Sequence, residues 1–167
     1  MGQRTLFQWP VRIYYEDTDA GGIVFYANYL KFFERARTEW LRSGGIDQSR
    51  LASSDGALFV VARTALDYHC PARLDQVLTL SVAIEKAGRA SVDFIQQAWR
   101  NQDASDGRTA TGAIPTGATA ILVATGRIRV ACVGAQDLRP RALPPAVLTF
   151  IRRSSLNLQP DATNVDV

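Results

Sequence analysis

Residues 16–42 read EDTDAGGIVFYANYLKFFERARTEWLR. Three acids, Glu16, Asp17 and Asp19, fall within four positions, two glycines follow, and an aromatic-rich segment comes next. Tyr29, Leu30, Phe33, Ala36, Arg37, Trp40 and Leu41 recur at steps of three and four, with Lys31, Glu34, Arg35, Thr38, Glu39 and Arg42 between them. That spacing predicts a helix, and Gly44-Gly45 is a stop signal for it. A face so broadly apolar predicts burial against a sheet. Like charges at the spacing of the three acids repel one another, so folding alone gives no reason to crowd them ahead of such a helix.

Outward from this stretch the chain reads mostly as strands. LFQWPVRIYY (6–15) is β-branched and aromatic, with a proline that suits an edge. ALFVVARTALDYH (57–69), QVLTLSVAIEKA (76–87) and RASVDFIQQAWR (89–100) follow, and Gly88 predicts an antiparallel hairpin between the last two. Residues 101–120, rich in Gly, Thr, Ala and Asp, predict a long hairpin loop, and ILVATGRIRVACV (121–133) a last strand. LPPAVLTFIRR (143–153) predicts a short helix starting at the proline pair, and residues 154–167, which lack apolar periodicity, a disordered tail. One helix between a first strand and a four-strand meander predicts an α+β fold, a five-stranded antiparallel sheet wrapped around the helix, as a single domain over 1–153.

Of 167 residues, 47% are apolar and 21% charged, the balance of an ordinary soluble protein. The N-terminus has no signal-peptide run and no stretch approaches the roughly 18 apolar residues of a membrane span, so a cytoplasmic location is expected. Cys70 and Cys132 are the only cysteines and His69 the only histidine. The cysteines read as buried, reduced thiols, and His69 as a structural histidine at a strand end. No ligand-spaced motif joins them, so no metal is expected. All but Lys31 and Lys86 of the 19 basic residues are arginine, a side chain suited to forked phosphate contacts. No basic stripe with interleaved aromatics is present, which argues against a nucleic-acid partner.

The segment VRIYYEDTDAGGIVFYANYLKFFERARTEW, with LDYHCPARLDQVL (66–78) and RIRVACVGAQDLRPRALP (127–144), resembles the hotdog-fold acyl-CoA thioesterases. The likeness is to the Tol-Pal-associated, 4-hydroxybenzoyl-CoA thioesterase-like group, and it spans residues 8–150. It implies that Asp19, the second acid of the Asp-x-Asp pair, is the catalytic carboxylate, and that the Tyr26 backbone N–H polarises the thioester carbonyl. Tol-Pal-associated members usually carry histidine where this chain has Tyr26, whereas 4-hydroxybenzoyl-CoA thioesterases carry tyrosine. The resemblance also places Arg89 at the nucleotide end of coenzyme A, which belongs to the substrate, so no separate cofactor is expected. It implies a homo-oligomer, commonly a tetramer with sites at the dimer interface, and an acyl-CoA or acyl-carrier-protein partner. Peripheral association with the inner membrane is a further expectation.

The chemistry agrees with these assignments. Thioester hydrolysis needs a carboxylate that attacks the carbonyl or activates water, and donors for the oxyanion that forms. A helix N-terminus supplies unpaired N–H groups and partial positive charge. Gly21 and Gly22 let the backbone approach a substrate, and Phe25 is carried with them as a substrate contact. Phe25, Phe32, Phe33 and Trp40 also read as core, with an acyl pocket as the alternative. The Tyr26 side chain reads equally as core or as site lining, Asn28 as a local structural hydrogen-bonder, and Glu16 and Asp17 as turn-stabilising or solvated acids. Arg139, Arg141, Arg152 and Arg153 are phosphate candidates by charge alone. Two rivals remain: a hotdog dehydratase or hydratase, weakened because His69 lies far from the helix motif, and a binding or scaffold protein of a membrane-associated complex.

Overall fold

A computed structural model describes residues 6–102, 114 and 119–156. Five strands, β1 (Phe7–Arg12), β2 (Ala57–Tyr68), β3 (Val77–Ala87), β4 (Ser91–Asn101) and β5 (Ala120–Gly134), form one antiparallel sheet in the order β1-β3-β4-β5-β2. The helices are α1 (Asn28–Ser43), α2 (Gln48–Ser54) and α3 (Pro145–Leu156). Strand β4 alternates strictly, with Val92, Phe94, Gln96 and Ala98 turned to the buried face. That face meets α1, whose Tyr29, Phe32, Phe33, Ala36, Arg37, Trp40 and Leu41 are buried. The expected sheet around a central helix is therefore the observed architecture.

Close approach of α1 to the sheet depends on Gly126 in β5. A Cβ there would stand 2.9 Å from both Phe33 and Ile128 and 3.0 Å from Leu66. At its other end α1 stops as the glycine pair requires: Gly45 has φ +74°, and the Ile46 N–H reaches back to the Leu41 carbonyl at 3.0 Å. Trp40 stacks near Phe94 and Phe150, at 5.5 and 4.7 Å between ring centres, which ties α1 to β4 and α3.

Several expectations need correction. Leu30, counted in the apolar stripe, is 39% exposed, while Phe32 is fully buried, so the buried stripe is rotated toward Phe32. Phe25 is 42% exposed and does not join the core, because it precedes the helix in a surface turn. Cys132 is buried but Cys70 only half-buried, and both are free. Helix α2 had no counterpart in the sequence reading; Asp47 caps it by accepting from the Ser49 and Arg50 N–H groups at 2.8 and 3.1 Å. Helix α3 runs to Leu156, three residues into the 154–167 stretch, and the rest of that tail lies outside the described residues. Most of the 101–120 loop lies outside them too.

One polar group sits deep in the core. The Arg37 guanidinium is 9% exposed and donates from Nη1 to Gln96 Oε1 at 2.7 Å, while Gln96 Nε2 donates to the Phe33 carbonyl at 3.1 Å. Burial pushes the Arg37 guanidinium down to about 10, partly opposed by Glu34, so it stays protonated at neutral pH.

Candidate active site

The acidic cluster divides into one buried, structural carboxylate and two exposed ones. Tyr15–Asp17 form a single 3-10 turn that swings the chain out of β1. Asp17 is 3% exposed, and its Oδ2 accepts from the Tyr14 N–H at 2.9 Å. Its carbonyl accepts from the Phe25 N–H and from Asn28 Nδ2, each at 2.9 Å. Asp17 and buried Asn28 thereby hold the segment before α1 against the turn, the structural part expected of both. Glu16 is exposed.

Asp19 opens a tight hairpin across Thr18 and Val24. Its N–H donates to the Ile23 carbonyl at 2.9 Å and its carbonyl accepts from Gly22 at 3.0 Å, with Gly22 at φ +70°, a conformation that favours glycine. Asp19 Oδ1 accepts from the Gly21 N–H at 2.8 Å, an Asx turn that fixes the side chain. Oδ2 has no partner among the described residues, and the residue is exposed. Asp19 does not cap α1, which begins at Asn28 after Ala27.

The hairpin is stitched to the loop that follows β2. Val24 N–H donates to the Ala72 carbonyl at 2.9 Å, and Ile23 pairs with Arg73. From β2 the Tyr68 hydroxyl donates to the Tyr26 carbonyl at 3.0 Å, anchoring the peptide that leads into the helix. Tyr29, buried beneath, has its phenol pushed up to about 12 by burial, with Cys70 and Tyr68 adding to the rise, so it stays neutral. The Tyr26 N–H takes no hydrogen bond among the described residues. Its side chain is 63% exposed and stacks on Phe25, 4.5 Å between ring centres, so it lines the surface and not the core. A free carboxylate oxygen, a free N–H at the helix start and a rim of Phe25, Tyr26 and Tyr68 thus share one end of the sheet. Tyr68 was not read from the sequence, where nothing in DYH marks a hydroxyl aimed at a carbonyl forty-two residues back.

The structure does not bring Arg89 to this end. Arg89 is exposed in the β3–β4 turn, its carbonyl accepting from Leu143, whereas the Asp19 hairpin adjoins the opposite end of β3. The 11 residues of β3 span roughly 35 Å at strand rise. Arg141 is occupied structurally, donating to the Asp55 and Gly56 carbonyls at 2.8 and 2.7 Å. Arg139, Arg152 and Arg153 are exposed. His69 shares a 3.0 Å hydrogen bond with Thr125 Oγ1, the structural role expected. No helix among the described residues is long and apolar enough to cross a membrane, and no group of metal-ligating side chains occurs among them.

Residues 21–106, just over half of the chain, match the family model described as the thioesterase superfamily. The chain belongs to the thioesterase superfamily. Over 149 residues the thioesterase is 38% identical to the acyl-CoA thioester hydrolase YbgC of Escherichia coli, a span that covers 89% of this chain and 98% of that protein. It superposes on a probable thioesterase from Bartonella henselae with a TM-score of 0.68 at 28% identity, covering 84% of this chain and all of the other. A 4-hydroxybenzoyl-CoA thioesterase, at TM-score 0.69 and 20% identity over 86% of this chain and 96% of that one, shares the fold. The five-stranded sheet around α1 is the hotdog fold of these thioesterases. The family span opens at Gly21, so Asp19 is argued from its own geometry.

Proposed function

We propose that the thioesterase hydrolyses acyl-CoA to the free acid and coenzyme A, with Asp19 as nucleophile or general base and the Tyr26 N–H as oxyanion donor. The observation that carries this reading is the unpaired Oδ2 of an Asp19 carboxylate whose Oδ1 accepts from the Gly21 N–H, in the hairpin that feeds the free helix-start N–H. In the reaction an oxygen of Asp19, or of a water it deprotonates, adds to the acyl carbon. Negative charge collects on the carbonyl oxygen beside the Tyr26 N–H and the positive end of α1, and then the C–S bond breaks and coenzyme A leaves as its thiolate. On the nucleophilic route a mixed anhydride on Asp19 is hydrolysed by water; on the base route the acid forms directly.

The site is completed by a second copy. Strand β2 is an edge strand of 12 residues, with Val60 and Val61 exposed on it, and such an edge invites pairing. Antiparallel pairing of two β2 edges sets the Asp19 end of one sheet against the Arg89 end of the other, so Arg89 of the partner subunit reaches the phosphates of the bound ligand. The resemblance adds acyl carrier protein as a possible acyl donor, a cytoplasmic location and peripheral contact with the inner-membrane Tol-Pal system. Membrane co-sedimentation from cells with and without that system tests the last of these.

A screen of free-thiol release from acyl-CoAs of increasing chain length, with benzoyl-CoA included, tests the activity. Turnover of at least one acyl-CoA is expected, and an exposed aromatic rim favours short or aryl acyl groups. No release from any of them would leave a binding protein.

A further inference from the structure

We propose that Tyr68 is a positioning residue for the hydrolysis: its hydroxyl holds the Tyr26–Ala27 peptide that orients the N–H groups at the start of α1 toward the oxyanion. The proposal rests on the thioesterase reading and adds to it the side chain that keeps the oxyanion donors in place.

The segment entering α1 is pinned at both ends by main-chain bonds. The Phe25 N–H donates to the Asp17 carbonyl and the Asn28 N–H to the Phe25 carbonyl, each at 2.9 Å. Between them the Tyr26 carbonyl accepts from no backbone N–H among the described residues, and the Ala27 N–H donates to no acceptor there. The bond that holds this peptide comes from the sheet: the Tyr68 hydroxyl donates to the Tyr26 carbonyl at 3.0 Å. Because a peptide is planar and trans, fixing the Tyr26 carbonyl also fixes the Ala27 N–H on the opposite side of the plane. A shift of that plane is taken up at the Tyr26 Cα, the joint that carries the Tyr26 N–H. A donor on the carbonyl also polarises the amide, which strengthens the Ala27 N–H toward a developing anion.

Tyr68 is itself well held. It closes β2, in register with Ala124 of β5, and its ring lies edge-on to buried Tyr29 at 5.7 Å between centres. Burial, and then the neighbouring Tyr26 phenol, push the Tyr68 phenol above its ordinary value, so it keeps its proton and donates at neutral pH.

Tyr68→Phe tests the proposal, because the ring stays on Tyr29 while the hydroxyl is lost. Parent and variant are assayed well below the lower melting midpoint, on the acyl-CoA that the parent hydrolyses best. Loss of an oxyanion donor outright costs about a hundred- to a thousandfold in kcat, and a loosened one should cost at least about tenfold. KM should stay within about threefold of the parent, and the pH dependence of kcat should keep its shape, since Asp19 is untouched. Near-normal kcat in Tyr68→Phe, with an active parent and an impaired Asp19→Asn, would overturn this proposal alone. A raised KM with unchanged kcat would overturn it as well, by making Tyr68 a substrate contact. No turnover by the parent would remove both the proposal and the thioesterase reading.

Discussion

Asp17 and Asp19 sit two residues apart with opposite surroundings. The Asp17 carboxylate is buried and accepts from the Tyr14 N–H, and its carbonyl holds Phe25 and Asn28, so its work is to shape the turn. Asp17→Ala removes the charged acceptor of the part-buried Tyr14 N–H and should lower unfolding free energy by about 1.5–3 kcal/mol in urea titration, the worth of a hydrogen bond to a charged group. An unchanged midpoint would contradict the role. The split was half legible in the sequence. DTDAGG marks a turn with glycines where left-handed backbone is needed, and Gly22 at φ +70° bears that out. Which acid turns inward depends on the 3-10 turn at Tyr15–Asp17, set by contacts that no local pattern encodes. Phe25 was misread as core for a related reason: helical periodicity says nothing about residues that precede the first helical turn.

At the scale of elements, the central helix followed from its 3.6-residue apolar period and the strands from β-branched and aromatic runs between turn signals, within a few residues. Helix α2 escaped because QSRLASS offers only Leu51 to a core, and its stability comes from the Asp47 cap and its packing on β2. The contact of α1 with β5 rests on Gly126, which pattern reading cannot distinguish from an ordinary strand glycine. Gly126→Ala should drive a methyl into Phe33, Ile128 and Leu66 and destabilise by about 1–3 kcal/mol. Phe33→Leu in the same chain should recover part of that loss, a non-additive pair readable in thermal melts. Additive losses would mean that Phe33 is not the obstacle.

At the scale of the whole molecule, the separation of Asp19 from Arg89 along β3 makes a two-subunit site the economical account of one ligand touching both. Light scattering should give a mass at least twice the 18.3 kDa of the chain at micromolar concentration; a mass near that of one chain would remove the shared site. Arg89→Ala should raise KM for acyl-CoA about ten- to a hundredfold with kcat little changed, the loss of a contact equal in ground and transition states. Unchanged KM would return Arg89 to solvent. The central claim is that the free oxygen of Asp19 performs the hydrolysis. Asp19→Asn keeps the acceptor that binds the Gly21 N–H but removes charge and basicity, so the hairpin stays closed. Steady-state hydrolysis of the best acyl-CoA from the screen should show kcat at least about a hundredfold lower, with the melting temperature and KM near those of the parent. Near-normal kcat in a folded Asp19→Asn protein would contradict the account.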